Sequence, residues 1–193
     1  MKKKSHGNLV FLEDHYSRND FEDPSDYELY NNYEDIDDFN LYDDDYIVQE
    51  LDLTGVNLHG ANLVKADLSH SNIVAAEMRF SELEGANISC SHVNMSDLYG
   101  SNLKNSNLEF IEIRNSDLSY CNLHGANLEG ALIVNSDFSC TDLRGANLYK
   151  VDATETKFQN AVFDEYSKLP FNKKKAEELG MIFINNDNMD NVS

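Results

Sequence analysis

Large apolar residues recur at every fifth position through the middle of the chain, from Leu53 to Phe163. A helix buries side chains at spacings of three and four, and a strand buries every second one, so neither element explains this period. We call these 23 positions the centres, and they are Leu53, Leu58, Leu63, Leu68, Ile73, Met78, Leu83, Ile88, Val93, Leu98, Leu103, Leu108, Ile113, Leu118, Leu123, Leu128, Ile133, Phe138, Leu143, Leu148, Ala153, Phe158 and Phe163. The pattern predicts a repeating unit of five residues.

The residues around each centre follow a rule as well. The position two before it is small or short, except at Leu51 and Ile111, and Asp or Asn directly precedes 16 of the 23 centres. Seven of the nine glycines lie two after a centre, where they tolerate the backbone conformation of a tight turn. A unit this short cannot bury its own large side chain, so the units must stack on one another.

The sequence from Leu51 to Glu165 resembles the pentapeptide-repeat family, whose consensus is A(D/N)LXX. The resemblance implies an all-β fold, a right-handed quadrilateral β-helix in which four units make one coil and residues twenty apart stack. The repeats here would give nearly six coils. The sequence offers an independent check, because four of its β-branched centres are spaced by twenty, namely Ile73, Val93, Ile113 and Ile133.

The two ends of the chain differ from this repeat. Residues 166–193 hold four acidic and four basic residues and resemble the family's cap, a turn with Pro170, a short helix and an apolar strand at Met181 to Ile184. Residues 1–50 hold 15 acidic and 4 basic residues with six of the ten tyrosines. Repulsion among the carboxylates predicts a largely disordered tail. That tail either keeps the protein soluble or docks on a partner.

Composition narrows the classes of function. The formal net charge of −20 argues against direct binding of nucleic acid, whose phosphates attract Lys and Arg, and it permits a basic partner. Three cysteines do not suggest a disulfide framework, so we expect a reducing compartment. The apolar run from Leu9 to Leu12 is too short for a signal peptide, and no segment resembles a membrane span. We therefore expect a cytoplasmic protein that does not bind membranes.

Residues with catalytic or ligating chemistry do not form a familiar arrangement. Asp before a centre alternates with Asn, which cannot act as a general acid or base, so we expect no enzyme activity. His70 and Cys90 would share one corner on adjacent coils, but two ligands do not make a zinc site, and no metal or cofactor is expected. A ladder of stacked acids would occupy one side, at Glu77, Asp97, Asp117 and Asp137, through chance or as a weak cation site.

One side of the expected coil is less polar than the others. We define face 1 as the units centred on Leu53, Ile73, Val93, Ile113, Ile133 and Ala153, and faces 2, 3 and 4 as the units that follow each of these in turn. Face 1 would carry five apolar residues outward or at its corners, namely Val74, Met95, Phe110, Leu132 and Val134. These residues reflect drift in a tolerant repeat or an interaction patch.

The sequence leaves two classes of function open. The first is a non-catalytic module or scaffold for protein–protein interaction, whose partner is unknown and which is a monomer or a weak homodimer. The alternative follows from the resemblance, because some family members mimic DNA and so protect gyrase, a type II topoisomerase, from quinolones. This chain departs from those members, since it has fewer Phe centres and no insertion in the repeat, and much of its acidic charge lies in residues 1–50.

Overall fold

The computed structural model describes residues 5–6, 9–10 and 51–185 of the chain. Near the N-terminus, β1 (Ser5–His6) and β2 (Leu9–Val10) pair in antiparallel fashion. Apart from this short pair, the predicted disordered tail lies outside the described residues, as does the end of the predicted cap from residue 186 onward. Within the described ranges no helix has the length and apolar character needed to cross a bilayer.

Face 1 forms a parallel sheet. Its strands in spatial order are β3 (Asn72–Val74), β4 (His92–Asn94), β5 (Glu112–Arg114) and β6 (Leu132–Val134). Each strand pairs with the next in a register of twenty residues, which stacks their β-branched centres on one another. Parallel bridges from Asp52 to Asn72 and from Leu132 to Asp152 extend the column at both ends. The predicted stacking of residues twenty apart is confirmed on this face.

The other three faces are joined by single parallel bridges in place of longer strands. The columns of bridges on faces 2, 3 and 4 begin at Asn57, Asn62 and Asp67, and each advances by twenty residues from coil to coil, except for the last bridge of face 4, from Asn147 to Lys168. Backbone hydrogen bonds connect the coils along these columns; for example, the amide of Leu103 donates to the carbonyl of Asn122 at 2.8 Å. The repeat region is therefore a solenoid of parallel strands arranged in four columns.

The centres form one continuous apolar core. All of them are buried except Ala153, which is partly exposed. Stacked centres contact one another, as Phe138 and Phe158 do with ring centroids 5.8 Å apart. The burial predicted from the period of five is confirmed, and the uninterrupted stack explains why every unit needs a large apolar residue.

Serines at the small inward positions connect adjacent coils. The hydroxyl of Ser96 accepts a hydrogen bond from the amide of Ala76 at 3.1 Å and donates one to the carbonyl of Ile73 at 2.8 Å. Ser116 and Ser136 accept in the same way from the amide one coil before them. These bonds satisfy buried backbone groups at the turn between faces 1 and 2, which explains why serine recurs in this column.

The corners of the coil lie in the left-handed region of backbone conformation. The residue two after each centre has a positive φ from Gly55, at 68°, to Asn160, at 61°. Glycine adopts this conformation without steric cost, whereas other L-residues pay roughly 1–2 kcal/mol for it. Bulky residues nevertheless occupy several corners, including Phe80, Phe110 and Tyr120.

A short cap follows the last repeats. The strand β7 (Val162–Phe163) pairs in parallel with β8 (Ile182–Phe183), and the helix α1 (Lys173–Glu178) lies between them in the chain. Asn172 caps α1, since its side chain accepts from the amide of Lys175 at 2.9 Å. Ala176 is buried against the core, as is Met181 after the helix. The predicted order of turn, helix and strand is observed.

Candidate interaction surface

Face 2 carries the acidic ladder expected from the sequence. Parallel bridges join Glu77 to Asp97, Asp97 to Asp117 and Asp117 to Asp137, so four carboxylates lie on consecutive coils. Lys157 follows in the same column, and its Nζ lies 3.2 Å from Oδ2 of Asp137. The four acids of the ladder are therefore followed by a lysine in the same column.

The aspartates of this ladder also have a structural role. Oδ1 of Asp97 accepts from the amide of Tyr99 at 3.0 Å, and Oδ1 of Asp117 accepts from the amide of Ser119 at 2.8 Å. Asn102 on face 3 makes the same bond with its own Oδ1. Asp and Asn interchange at this position because both supply the oxygen that closes the turn.

The side-chain carboxylate of Asp137, the last acid of the ladder, is held in its charged form. Burial raises the pKa of Asp137, but hydrogen bonds from Ser139 and the nearby ammonium of Lys157 outweigh it, so the pKa lies below its usual value. Asp137 thus presents negative charge at neutral pH, partly compensated by Lys157.

An exposed row of aromatic rings lies on the same face, and reasoning from the sequence missed it. His59, Phe80, Tyr99 and Tyr120 come from four consecutive coils. The distances between successive ring centroids are 5.7, 5.5 and 5.3 Å, which are contact distances for aromatic pairs. Phe80 is 51% exposed and Tyr120 is 58% exposed. We call these four residues the aromatic stripe.

The search for residues repeated every five positions did not detect the aromatic stripe, because its members alternate between two positions of the five-residue unit. His59 and Tyr99 directly follow a centre, whereas Phe80 and Tyr120 lie two after one, at a corner. Their separations along the chain are therefore 21, 19 and 21 residues, not 20. A search for aromatic residues separated by about one coil would have found them.

Glycine on the next coil makes room for the aromatic corners. A Cβ atom added at Gly100 would lie 2.7 Å from Cε1 of Phe80, so that ring rests directly on the glycine. Phe110 lies over Gly130 in the same way, at 2.5 Å from the added atom. The alternation of aromatic residues and glycine along a corner column thus gives the ring a place against the backbone.

A cation of the chain itself lies between the aromatic stripe and the acidic ladder. Cζ of Arg79 is 4.9 Å from the centroid of the Tyr99 ring, and its Nε is 3.5 Å from Oδ2 of Asp97. A guanidinium gains from both contacts, since both the ring face and the carboxylate attract its positive charge. Face 2 is thereby arranged to hold arginine.

The apolar residues of face 1, which the sequence assigned either to drift or to an interaction patch, lie at separate places on that face. Val74 and Val134 share one column, but the register places Asn94 and Arg114 between them. Arg114 is also paired with Glu112 on the same strand. The structure therefore separates Val74 from the far end of the face, because the coils between them carry polar side chains.

The rest of the expected patch is divided as well. Leu132 and Val134 lie on one strand and are both partly exposed. Met95 and Phe110 are 62% and 61% exposed, at corners on the two opposite edges of face 1. Face 1 thus offers several small apolar groups, whereas the rings of the aromatic stripe contact one another.

The cysteines and histidines give no metal centre in the part of the chain that the structure describes. His70 and Cys90 occupy successive corners of one column, as expected, with φ of 58° and 57°. Cys121 is buried in the small inward position, where its Sγ lies 3.0 Å from the carbonyl oxygen of Leu98. Burial raises the pKa of this thiol to about 12, so Cys121 is a neutral core residue.

Comparison with solved structures finds other proteins of this kind. HetL from the cyanobacterium Nostoc sp. strain PCC 7120 is 26% identical, and the match covers 61% of this chain and 58% of HetL, with a TM-score of 0.29. A pentapeptide repeat protein from the thylakoid lumen of Arabidopsis thaliana is 20% identical over 67% of this chain and 74% of its own, with a TM-score of 0.33. QnrB1, a plasmid-mediated fluoroquinolone resistance protein, is 16% identical over 69% and 77%, with a TM-score of 0.31.

The family assignment rests on the repeats themselves. A search of curated proteins found no match to the chain. The family described as pentapeptide repeats matches in 8 copies, over residues 52–89, 96–133 and 128–164. These ranges cover more than half of the chain and coincide with the stacked columns of bridges. The chain belongs to the pentapeptide repeat family.

Proposed function

We propose that this protein is a non-catalytic scaffold that binds another protein through face 2. The observation that carries the proposal is the aromatic stripe, a row of contacting rings on four consecutive coils, in which Phe80 and Tyr120 are more than half exposed and Tyr99 is partly exposed. Exposed apolar surface of this kind marks interaction sites on solenoids, and aromatic residues are enriched where proteins meet. A right-handed quadrilateral β-helix of nearly six coils would present such a face as a flat side.

The carboxylates support a binding role more than a catalytic one. Those that precede a centre close the turn of their own unit, as Asp97 and Asp117 do. A group held in that way, and replaceable by Asn elsewhere in the repeat, is suited to charge recognition and not to proton transfer. Binding is therefore the chemistry that face 2 offers.

A second candidate is a DNA mimic that binds a type II topoisomerase such as gyrase. The unbroken ladder of four carboxylates favours this alternative. Its charge is offset, however, by Arg79 beside Asp97 and by Lys157 beside Asp137. The scaffold remains the better supported function, and we propose that the protein acts as a monomer or a weak homodimer.

The test compares variants of the full chain in a pull-down from lysate, read by mass spectrometry. Tyr99→Ala with Tyr120→Ala removes half of the aromatic stripe, and Leu132→Asp with Val134→Lys makes the apolar end of face 1 polar. Tyr149→Ala is the control, because Tyr149 is equally exposed at 52% on face 4. Each variant is checked for unchanged circular dichroism and melting temperature.

We expect partners recovered by the wild-type protein to be lost with the face 2 variant alone. Loss with the face 1 variant alone would move the binding site to that face. Equal recovery with all variants would contradict the proposal, because it would leave neither face with a role in binding.

A further inference from the structure

Arg79 contacts both an aromatic ring and an acid on face 2. Its guanidinium lies over the ring of Tyr99 and beside the carboxylate of Asp97, at 4.9 and 3.5 Å. Asp97 and Tyr99 belong to the same unit of face 2, because Asp97 precedes and Tyr99 follows the buried centre Leu98. This arrangement is an internal example of a cation held by an aromatic ring and an acid.

The next coil also carries an acid and an aromatic ring, and among the described residues its acid makes no ion pair. That acid is Asp117, one rung beyond Asp97, and its carboxylate accepts hydrogen bonds from the amide and the hydroxyl of Ser119. The ring centroid of Tyr120 lies 5.3 Å from that of Tyr99, and Tyr120 is 58% exposed. Tyr120 lies at the corner three residues after Asp117, whereas Tyr99 lies two residues after Asp97, so the two coils share an acid and a ring but not their positions. We therefore expect an incoming guanidinium at this rung to find an acid and an aromatic ring, as Arg79 does one coil earlier.

The net negative charge of the chain indicates which kind of segment can bind face 2. The chain has a net charge of −20, and residues 1–50 contribute 15 acidic against 4 basic residues. A second copy of the chain, or its own acidic segment, would be repelled from the ladder. A basic segment of another protein is attracted to it, and arginine fits better than lysine because its planar group stacks on rings and pairs with carboxylates.

We propose that face 2 docks an arginine-rich extended segment of a partner protein, with one arginine at Asp117 and Tyr120. This inference rests on the proposed scaffold function and gives the chemistry of its partner. Successive rungs are ~4.8 Å apart, whereas alternate residues of an extended peptide are ~6.7 Å apart. The rungs on either side of Asp117 are also paired with Arg79 and Lys157, so a single arginine of the segment meets this site. Arg79 limits the site by occupying the rung at Asp97.

The probe is a fluorescent peptide of three Arg-Ser repeats, with the Lys-Ser peptide of equal charge as its control. Binding to the full chain is measured by fluorescence anisotropy at fixed salt. Arg79→Gln frees Asp97 and Tyr99, so we expect it to tighten binding of the arginine peptide by about threefold to tenfold. Arg114→Gln is the matched control, since it makes the same change in charge on face 1, where Arg114 pairs with Glu112.

A second pair of variants removes the site. Asp117→Asn with Tyr120→Ala should weaken binding about tenfold, whereas Asp152→Asn with Tyr149→Ala, equal in composition but on faces 1 and 4, should not. Asn keeps the oxygen that closes the turn, and Ala75 shows that alanine is accommodated at a corner, so folding should be kept.

The outcomes separate this inference from the scaffold function. Equal binding of the two peptides, or equal effects of Arg79→Gln and Arg114→Gln, would overturn the arginine assignment. If face 2 variants lose a partner that excess arginine peptide cannot displace, the scaffold stands and the arginine chemistry fails. Peptide binding that needs prior removal of residues 1–10 would assign the site to the chain's own N-terminal lysines instead.

Discussion

At the scale of single residues, serines in equivalent inward positions have different roles. Ser116 accepts from the amide of Ser96 at 3.1 Å and donates to the carbonyl of Val93 at 3.1 Å. Ser106 only donates, to the carbonyl of Leu103 at 2.6 Å, and its column otherwise holds alanine. The amide of Ala86, one coil before Ser106, donates to the backbone carbonyl of Leu83 at 3.0 Å, whereas the amide of Ser96 donates to the side chain of Ser116.

We expect Ser116→Ala to lower the free energy of unfolding by about 1–3 kcal/mol, because it leaves the buried amide of Ser96 without an acceptor. Ser106→Ala should cost less, since alanine already occupies that position on neighbouring coils, as at Ala86 and Ala126. Chemical denaturation of both variants measures the difference. Equal losses would show that the bond from Ser96 contributes little.

The buried thiol gives a prediction for the pH dependence of stability. Burial raises the pKa of Cys121 from 9.0 to about 12 in the folded protein. Below pH 9 the thiol is neutral in both states and adds no pH dependence. Between pH 9 and about 12 the unfolded chain releases the proton and the folded protein keeps it, so folding is progressively disfavoured as the pH rises.

Replacement of Cys121 by serine should remove this contribution. Ser101 occupies the same inward column one coil earlier, so we expect Cys121→Ser to fold. Above pH 9 the wild-type protein should lose about 1.4 kcal/mol per pH unit relative to this variant, as measured by urea unfolding at a series of pH values. Parallel curves for the two proteins would contradict the raised pKa.

At the scale of elements, the repeat could be predicted from the sequence because each unit repeats one physical requirement. A large centre, a small inward neighbour and a turn residue specify burial, stacking and the left-handed corner, and all three are observed. The four β-branched centres, which served as a check on the period of twenty, lie in the longer strands of face 1, since branched side chains favour extended backbone.

The surface could not be predicted in the same way. Outward residues are not constrained by the core, so their contacts depend on side-chain direction as well as on register. Phe80 and Tyr99 approach each other because Phe80 extends from a corner and Tyr99 from the position before a corner, a relation that a strict period of five hides. Val74 and Val134, by contrast, share a period and a face but lie too many coils apart to touch.

At the scale of the whole molecule, the charge of the solenoid bears on the alternative function. The column from Asp52 to Asp152 contains six rungs, which span about 24 Å at the interstrand spacing. A DNA duplex of that length carries about 14 phosphate charges. Residues 51–165 hold 16 acidic and 7 basic residues, a net charge of −9. The solenoid is therefore less densely charged than DNA.

The arrangement of the charge differs from that of DNA too. Each face carries basic side chains among its acids, as with Arg114 on face 1, Lys157 on face 2 and Arg144 on face 3. Arg144 pairs with Asp142 at 2.6 Å and lowers the pKa of that carboxyl against the opposing effect of burial. A surface whose acids are paired with its own basic side chains attracts a phosphate-binding protein less strongly.

We therefore expect the full chain not to inhibit DNA supercoiling by gyrase at physiological salt, because a mimic must match the charge that the enzyme's DNA-binding surface evolved to neutralise. The assay follows supercoiling of a relaxed plasmid over a range of protein concentrations and salt. Inhibition that weakens steeply with salt would contradict this expectation, since it is the behaviour of an electrostatic mimic. In that case a variant with lysine in place of the four ladder acids, Glu77, Asp97, Asp117 and Asp137, should lose the inhibition. A control variant carries lysine at four acids of the other faces, namely Asp52, Asp67, Asp142 and Asp152. Comparison of the two shows whether face 2 or the total charge is responsible.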